Sequence, residues 1–420
     1  MSIFVDSLGF LRAQSFLSLL HFFWFVLIFD IPRYTVGFFA VATTQQRREP
    51  RALSVPGRVS VLLAGYNEEK SLMQCVRSLR AQVGGPFEIV AIDDGSTDGM
   101  WDVVARLDRE GLIHRCARLH ARGGKAAAVN LAARLASGDI FIIVDCDCSF
   151  DRHAVARLLA PLADPRVGAV CGNILVRNSD ASMITAIQAI EYLTSVTLGR
   201  SLLDVLNLVT CVSGAFGAFR REAWEAIGGS PVGPGEDLDI TLRLRQRGYE
   251  IRFARNAICQ TDVPENLVGL VRQRLRWDRD ALAIRIRKFG HNLRPWHPEF
   301  SLRETAHELD FVIFEFLSAA IFPFYLVYLA TFAPKAMLIV LLSSYIVLLS
   351  MSVSSVLISI YLMQRNELLK LVLFVPMSDL LQCYVMRFVR LFAYCEELIF
   401  SRSLKDNYVP EKVRAWSTWR

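Results

Sequence analysis

Several common signatures of nucleotide and metal sites are missing from this 420-residue sequence. Gly123-Gly124-Lys125 is followed by Ala126, so the spacing of a P-loop is absent, and no Gly-x-Gly-x-x-Gly follows a strand-like run. The seven histidines are scattered and none pairs with a Cys-x-x-Cys, which excludes an ordinary zinc site. No dense basic tract with interleaved aromatic residues stands apart from the apolar segments, so the net charge of +6 does not indicate nucleic-acid binding.

Cysteine is scarce, and repeats and low-complexity linkers are absent. Nine irregularly spaced cysteines, an odd number, predict reduced thiols in a cytosolic body and not a disulfide framework. The content is 53% hydrophobic and 21% charged. That composition is too apolar for an ordinary soluble protein and too charged for a pure membrane bundle, so the apolar residues must be concentrated in certain segments.

Long apolar runs occur towards both ends of the chain. Residues 14–42 predict one transmembrane helix, because the apolar character continues past any plausible signal-peptide cleavage site. Residues 309–333 and 336–364 each exceed the roughly 20 residues needed to cross a bilayer and predict a helical hairpin. Residues 367–400 predict either one kinked span or a broken, partly interfacial hairpin. This last run is interrupted by one proline and three charged residues, Pro376, Asp379, Arg387 and Arg390.

Basic residues flank these runs unevenly, which predicts the orientation of the chain. Four arginines follow the first run, namely Arg47, Arg48, Arg51 and Arg58. Five basic residues precede the hairpin, namely Arg285, Arg287, Lys288, Arg294 and Arg303. We therefore expect a cytosolic central region, an outside amino terminus and an inside carboxyl-terminal tail, so the last run must return to the cytosolic face. The predicted parts are an N-terminal transmembrane helix (1–44), a cytosolic domain (45–290), an interfacial helix (291–308), C-terminal transmembrane or interfacial helices (309–400) and a basic cytosolic tail (401–420).

The central region alternates strand-like and helix-like segments. Residues 59–64, 87–92, 118–120 and 140–144 read as strands, with polar or alanine-rich helices between them. The run at 140–144 is apolar throughout, as expected of a strand buried on both faces. This alternation predicts an α/β fold with a mainly parallel sheet and a ligand site at the carboxyl ends of the strands.

Acidic residues fall at two of these strand ends. Asp93-Asp94 closes the second strand, and Asp145-Cys146-Asp147 closes the fourth. Because strand side chains alternate in direction, Asp145 and Asp147 should share one face while the neighbouring cysteines face the core. Two carboxylates on one face suit Mg²⁺ or Mn²⁺ that also holds a diphosphate, and the cysteine placement disfavours a thiolate metal site. The alternative is a solvated acidic turn.

Three further segments each allow two interpretations. Lys125 opens a helix and could meet an anion there, or it is a surface lysine. Glu236-Asp237 also opens a helix, where acidic residues are either functional or simple partners of the helix dipole. The segment 273–277, Gln-Arg-Leu-Arg-Trp, could grip a leaving phosphate and stack on a sugar, or contact lipid headgroups.

The order of these motifs closely resembles the processive, membrane-embedded members of glycosyltransferase family 2. That group includes poly-N-acetylglucosamine, rhizobial chitooligosaccharide, hyaluronan and bacterial cellulose synthases. The resemblance covers nearly the whole chain and is closest over 58–280, with the Gln-x-x-Arg-Trp element its most specific part. The motifs in chain order are Tyr66-Asn67-Glu68, Asp93-Asp94-Gly95, Gly124-Lys125, Asp145-x-Asp147, Glu236-Asp237 and Gln273-x-x-Arg276-Trp277.

The resemblance implies a GT-A fold and a role for each motif. The residues that would hold uracil and ribose are Tyr66, Glu68 and Asp94, with Asp93 alongside and Lys125 near the nucleotide. Asp145 and Asp147 would form the metal–diphosphate pair, with Asp147 the direct ligand of Mg²⁺ or Mn²⁺. Asp237 corresponds to the general base and Glu236 to its supporting neighbour. The residues that would cap the diphosphate and line the acceptor site are Gln273, Arg274, Arg276 and Trp277. Ser213-Gly214, ahead of Ala218-Phe219-Arg220-Arg221, matches the segment beneath the acceptor sugar.

The activity implied is inverting transfer from a UDP-sugar to a growing polysaccharide, which is extruded across the bacterial inner membrane by a multi-pass enzyme. GlcNAc is slightly favoured because the chain length and residues 172–192 look most like poly-N-acetylglucosamine synthases, while glucose and glucuronate stay open. Membrane lipids are expected contacts, no nucleic acid is expected, and a regulatory or export subunit is left open. The alternatives are transfer of one sugar to a polyprenyl phosphate or lipid, and a non-catalytic channel or scaffold.

Two departures from the family pattern stand out. Gly235 occupies the position where relatives commonly carry Thr or Ser before Glu-Asp, which raises the question of loop flexibility. Ala64-Gly65 replaces the usual proline ahead of Tyr-Asn-Glu.

Overall fold

The computed structural model describes residue 9 and residues 12–32, 57–85, 87–298, 300–405 and 410–411. An α/β body occupies the middle of the chain, and apolar helices from both ends of the described chain pack together beside it. Residues 33–44 of the predicted first transmembrane helix and most of the basic tail lie outside the described residues, as do Arg47, Arg48 and Arg51.

Eight strands form one mixed sheet in the order β3-β2-β1-β4-β7-β6-β8-β5. The strands are β1 (Val59–Gly65), β2 (Glu88–Asp93), β3 (Arg115–Arg118), β4 (Ile140–Val144), β5 (Ser149–Phe150), β6 (Val167–Val176), β7 (Phe216–Arg220) and β8 (Glu250–Thr261). The predicted α/β fold is confirmed. Strands β1–β4 and the β6–β8 pair are parallel, whereas β7 runs against both β4 and β6, and β5 runs against β8.

Among the described residues, helix α1 precedes the sheet, and nine further helices lie between β1 and the apolar carboxyl-terminal third. They are α1 (Phe16–Phe25), α2 (Leu72–Arg80), α3 (Met100–Arg109), α4 (Lys125–Leu135), α5 (Ala154–Leu159), α6 (Met183–Glu191), α7 (Arg200–Val205), α8 (Arg221–Ala226), α9 (Glu236–Gln246) and α10 (Leu267–Ala283). A π-helical run, Tyr192–Gly199, links α6 to α7, and another, Ile284–Lys288, extends α10.

Two hydrophobic cores cover the two faces of the sheet, and the side-chain alternation of the strands divides between them. Val61 and Leu63 of β1 enter the core beneath α2, α3 and α5, while Leu62 enters the core beneath α4 and α9. Cys146 and Cys148 lie in the first core, 3% and 1% exposed, and all nine cysteines are free. The two cysteines beside the Asp-x-Asp motif therefore face the core, as expected.

The carboxyl-terminal third forms three continuous helical runs that are long and apolar enough to cross a membrane, Leu302–Phe332, Met337–Met363 and Asn366–Phe400. Their α-helical parts are α11 (Leu302–Asp310), α12 (Ser318–Phe332), α13 (Met337–Met363), α14 (Val375–Leu380) and α15 (Met386–Phe400), joined within the first and third runs by 3-10 or π-helical turns. The first two runs cover almost all residues of the predicted hairpin and are separated by a short turn around Pro334. In the segment predicted as an interfacial helix, 291–308, a short 3-10 turn (Gly290–Leu293) is followed by α11, which continues directly into the first run.

The third run contacts the α/β body at both of its ends. Near its start Arg365 pairs with Asp151 and Lys370 with Asp180. Near its end Glu396 pairs with Arg279, 3.4 Å away, and α15 packs along α10. The sequence of residues 367–400 allows either one kinked span or a broken, partly interfacial hairpin. Because both ends of this run contact the α/β body, the arrangement favours the hairpin, which begins and finishes on the same side.

Candidate active site

Lys125 lies at the centre of the acidic motifs. Helix α4 begins at this residue, after Gly124 with its positive φ of 86°, and its ammonium points across the carboxyl edge of the sheet. Its Nζ is 2.6 Å from Asp145 Oδ1 and 3.9 Å from Glu236 Oε1, and it donates to the Gly214 carbonyl at 3.3 Å. Lys125 is thus neither an isolated surface lysine nor remote from the acidic residues, and it joins four motifs that lie far apart in the sequence.

Asp145 and Asp147 follow β4 in a turn and are held by different partners. The Asp145 carboxylate, 35% exposed, faces Lys125. Burial raises the pKa of Asp145, and the Lys125 charge opposes that rise. Asp147 Oδ2 accepts a 2.8 Å hydrogen bond from the hydroxyl of Thr261, at the end of β8. The Asp147 charge adds to the rise in the pKa of Asp145, so the two carboxylates lie within electrostatic reach of each other.

Asp93 and Asp94, at the end of β2, have different structural roles: Asp93 belongs to the framework of the fold, and Asp94 holds a loop in place. Asp93 is fully buried, accepts from the Ser96 amide and pairs with Arg118, so this carboxylate is held within the fold, and its place beside the nucleotide stays a prediction. Asp94 accepts from the Gly123 and Gly124 amides at 2.7 and 2.8 Å. Burial raises the pKa of the Asp94 carboxyl, while these two amide donors oppose that rise. Asp94 thereby fixes the loop that presents Lys125.

Tyr66 and Glu68 lie just beyond β1 on the same edge. The Arg122 guanidinium lies over the Tyr66 ring, 4.2 Å from its centroid. The Ser71 hydroxyl donates to the Glu68 carboxylate. Burial raises the pKa of Glu68, and the charges of Asp147 and Asp145 add to the rise. Glu68 therefore lies within electrostatic reach of the Asp-x-Asp pair.

Glu236 and Asp237 form the first turn of α9. The Thr241 hydroxyl donates to the Asp237 carbonyl at 2.7 Å and accepts from the Val212 amide at 2.8 Å, so this turn is tied to the segment before β7. Burial raises the pKa of Glu236; the Lys125 charge opposes that rise and the Asp237 charge adds to it. Burial also raises the pKa of the Cys211 thiol, to which the Asp237 charge contributes. A carboxylate pair thus lies beside a cation in a largely enclosed position.

Gly235 caps α9 in the left-handed region with φ of 62°, and a Cβ there would lie 2.5 Å from Ile284 Cδ1. The departure from Thr or Ser at this position therefore reflects close packing of α9 against α10 and not a loose loop. We expect Gly235→Ala to lower the melting temperature of the detergent-solubilised protein by at least twice as much as Gly111→Ala. Gly111 has φ of 67° and open space around it, so its substitution carries only the conformational cost of about 1 kcal/mol.

Thermal unfolding of both variants and of Gly235→Ala/Ile284→Val tests this packing. The second substitution removes Cδ1 and should recover part of the loss. Equal melting temperatures for Gly235→Ala and Gly111→Ala would contradict the close contact.

The segment predicted to lie beneath the acceptor sugar has its two parts at opposite ends of β7. Ser213 and Gly214 precede the strand on the active edge, and a Cβ at Gly214 would lie 2.7 Å from Lys125 Nζ. Arg220, at the other end, pairs across the sheet with Ile140 at the start of β4 and donates to the Val167 carbonyl. Neighbouring Arg221 donates to the Ala136 carbonyl at the same end. Arg220 and Arg221 are therefore framework residues remote from the site.

Helix α10 presents the Gln-x-x-Arg-Trp element on two faces. Asp280 and Ile284 pack against Gly235 ahead of the acidic turn, and Arg276 lies 3.9 Å from Asp280. Gln273 Oε1 is buried without a hydrogen-bond partner among the described residues. Arg274 points elsewhere: its guanidinium donates to Glu191 at 2.8 Å and lies over the Trp277 ring. Arg274 thus lies against Trp277, and its predicted part in capping the diphosphate and lining the acceptor site stays a prediction.

The donor set suits a hard divalent cation. Asp145 and Asp147 offer carboxylate oxygens, and the adjacent Cys146 and Cys148 are buried, with the Cys148 thiol 3.5 Å from Asp147 Oδ1. No cluster of three or more His, Cys, Asp or Glu side chains with metal-ligand geometry occurs in the part of the chain that is described. Such a pair could hold Mg²⁺ or Mn²⁺ provided that the ligand contributes oxygens of its own.

Three site residues escape sequence reasoning: Thr261, Glu191 and Arg122. Thr261 reaches Asp147 because the end of β8 pairs with β5, and Glu191 reaches Arg274 because α6 and α10 meet in space. Nothing in the local sequence predicts either contact. Arg122 lies two residues before Gly124, in the loop that carries Lys125. Of the three residues, only Arg122 is therefore close in sequence to a predicted motif.

The middle of the chain matches a known family model. Residues 60–228 match the family model described as glycosyl transferase family 2. The chain is similar to an N-acetylglucosaminyltransferase of Azorhizobium caulinodans, 32% identical over 261 residues that cover 57% of this chain and 65% of that protein. It is also similar to the poly-beta-1,6-N-acetyl-D-glucosamine synthase of Staphylococcus aureus, 30% identical over 238 residues, covering 56% of this chain and 57% of that protein.

A solved structure extends the likeness to the fold. The mannosyltransferase PcManGT from Pyrobaculum calidifontis, in complex with GDP-Man and Mn²⁺, superimposes with a TM-score of 0.60 over 88% of this chain and 96% of that one, at 20% identity. The chain spans less than two thirds of the length of the two curated relatives. It has a GT-A-like fold with the acidic motifs gathered around Lys125, and its residues 60–228 match glycosyltransferase family 2.

Proposed function

We propose that this protein is an inverting glycosyltransferase that polymerises a UDP-activated sugar, with GlcNAc favoured, into a β-linked polysaccharide. The convergence of the motifs carries the proposal: one ammonium, Lys125 Nζ, contacts Asp145 and the Gly214 carbonyl and lies 3.9 Å from Glu236. The GlcNAc preference rests on the two curated relatives, whose names specify N-acetylglucosaminyl transfer or poly-N-acetylglucosamine synthesis.

The first chemical task is removal of a proton from the acceptor hydroxyl. Asp237 is the proposed base, because it stands on the first turn of a helix anchored through Thr241 to the segment before β7. The neighbouring Glu236 carboxylate adds negative charge, and the Lys125 ammonium reduces the free-energy cost of ionising that buried carboxyl. A positioned carboxylate within reach of the hydroxyl contributes roughly 10²–10⁴ in rate.

The second task is neutralisation of the departing diphosphate. Lys125 and Arg276 are the cations that the motifs themselves offer for this task. A divalent ion held by Asp145 and Asp147 would supply Lewis acidity towards the same oxygens. These charges are in place before the reaction, so no reorganisation is needed when the diphosphate leaves. They therefore stabilise the transition state more than the ground state.

The acceptor would lie against α10. Trp277 is 36% exposed and held by Arg274 from behind, so its ring can face a sugar. The unpartnered Gln273 Oε1 can accept from a sugar hydroxyl. The third apolar helical run packs along this helix, and the apolar runs carry exposed side chains such as Phe324 and Leu373, 73% and 82% exposed. They support a multi-pass protein of the bacterial inner membrane with a cytosolic α/β body, which extrudes its product.

Thr261 offers a test of the metal assignment. Thr261→Val removes the hydroxyl that holds Asp147, and we expect the Mn²⁺ concentration for half-maximal UDP release to rise about tenfold, as for other partners of metal ligands. Thr261→Ser keeps the hydroxyl and should behave like wild type. Direct Mn²⁺ binding by electron paramagnetic resonance should weaken in parallel. Unchanged Mn²⁺ dependence in Thr261→Val would contradict the role of Asp147.

Labelled UDP-sugars test the proposed function itself. Membrane vesicles are given UDP-GlcNAc, UDP-glucose and UDP-glucuronate singly and in pairs, and the products are sized and digested with linkage-specific hydrolases. We expect polymer from UDP-GlcNAc alone and loss of synthesis after chelation of divalent ions. Polymer from UDP-glucose alone would contradict the donor preference, and a single-sugar lipid as sole product would replace polymerisation with lipid glycosylation.

A further inference from the structure

The side of α10 that faces away from the acidic motifs is bound to the third membrane run. Arg274 and Asp278 are one turn apart on this side, and Leu282 continues it into a buried cluster with Tyr394 of α15. The same helix carries Trp277, the proposed acceptor contact. Displacement of this side would therefore displace the Trp277 ring.

The first link passes through Glu191. One carboxylate oxygen, Oε2, accepts both Arg274 Nη2 at 2.8 Å and Gln382 Nε2 at 2.9 Å. Gln382 belongs to a π-helical turn, Leu381–Val385, in the middle of the third run. Arg274 then lies over the Trp277 ring, 4.4 Å from its centroid. A continuous chain of polar contacts thus joins a membrane-run side chain to the acceptor-facing ring.

The second link passes through Arg390 of α15. Its guanidinium is 3.5 Å from Asp278, the residue after Trp277, and it also pairs with Glu315 in the first membrane run. All three side chains are only about one fifth exposed. Removing one member of such a shielded set leaves uncompensated charge, so the set specifies one arrangement of the three helices.

We propose that the third membrane run positions the acceptor subsite: Gln382 and Arg390 fix, through Glu191 and Asp278, the helical turn that carries Trp277. This inference rests on the proposed function, because it assigns Trp277 to the growing chain. It makes Gln382, Arg390 and Glu191 positioning residues that touch neither donor nor diphosphate. Chain retention, and hence product length, should depend on them, whereas donor binding should not.

The test compares Arg390→Gln, Arg390→Lys and Lys370→Gln in membrane vesicles. Arg390→Gln removes the charge, Arg390→Lys keeps it, and Lys370→Gln breaks a matched pair between the same membrane run and Asp180, away from α10. Three quantities are measured: product length, KM for the UDP-sugar, and UDP release without acceptor. We expect Arg390→Gln to shorten the product about tenfold while donor KM and acceptor-free UDP release stay within twofold. Arg390→Lys should recover most of the length, and Lys370→Gln should match wild type.

Gln382→Met provides a second, uncharged variant should Arg390→Gln fail to fold, and it should also shorten the product. The inference is overturned if the tested variants make product of wild-type length, or if acceptor-free UDP release falls in parallel with length. Absence of polymer from the wild-type protein would instead reject the proposed function, so the two failures are distinguishable.

Discussion

Asp237→Asn is expected to reduce sugar transfer by about a thousandfold or more. The substitution keeps the shape of the side chain but removes its capacity to accept the proton of the acceptor hydroxyl, a loss in the range found for general bases. Transfer is measured as acceptor-dependent UDP release, and binding of UDP by calorimetry should change less than threefold. Wild-type-like polymer from this variant would remove Asp237 from the role of base.

Two neighbours in the same helix provide the controls. Glu236→Gln leaves Asp237 in place and should cost less than Asp237→Asn. Asp239 is 1% exposed and pairs with Arg243 and Lys288, so it serves the framework. Asp239→Asn should therefore lower thermal stability while the remaining folded enzyme keeps its specific activity. Equal loss of turnover in all three would indicate that the helix turn, and not one carboxylate, had been damaged.

Lys125→Met is expected to lower kcat/KM for the UDP-sugar by about 10²–10³-fold, the scale of one preorganised charge at a developing anion. The ammonium contacts Asp145 and the Gly214 carbonyl, so its removal leaves the acidic motifs without the cation between them. Gly214→Ala is the graded comparison: its Cβ would press on Nζ at 2.7 Å and shift the flexible side chain without removing its charge. We expect a loss of about tenfold from it, and the steady-state kinetics of the two variants measure the contrast. Equal losses would argue for packing over charge.

The pH profile provides an independent readout of Lys125. Its charge lowers the pKa of Glu236 against the upward effect of burial, so the pKa should rise when the charge is removed. Activity that needs Glu236 ionised is lost as pH falls through that pKa. The acidic limb of the kcat/KM profile should therefore move to higher pH in Lys125→Met, and an unmoved limb would contradict coupling between Lys125 and Glu236.

Local pattern predicts the first half of the α/β body well. Strands β1, β2 and β4 lie within one residue of the predicted runs, because each is a short apolar segment ended by polar residues. Helices α4 and α9 begin at the expected Lys125 and Glu236. By contrast, no strand is predicted beyond residue 144. Strand β7 reverses between β4 and β6, and no local feature encodes the direction in which a strand inserts between distant partners.

The site shows the same division between local and long-range information. Motif order identifies the residue types, and Lys125, Asp145, Gly214 and Glu236 do meet. The partners of Asp93 and Arg274, namely Arg118 and Glu191, could not be predicted because tertiary packing brings them together. Arg118 pairs with a fully buried carboxylate, and Glu191 accepts a hydrogen bond from the Arg274 guanidinium. Motif position specifies where a backbone lies, whereas the direction of a long side chain depends on the nearest opposite charge.

The central claim is that the cytosolic body polymerises a UDP-sugar and passes the product across the membrane. Sealed inside-out vesicles supplied with labelled UDP-GlcNAc test it most directly. The account predicts long polymer that resists a glycoside hydrolase added outside the vesicles and becomes sensitive once detergent opens them. A product that consists of one sugar on a lipid, or polymer that is fully digested in sealed vesicles, would contradict it.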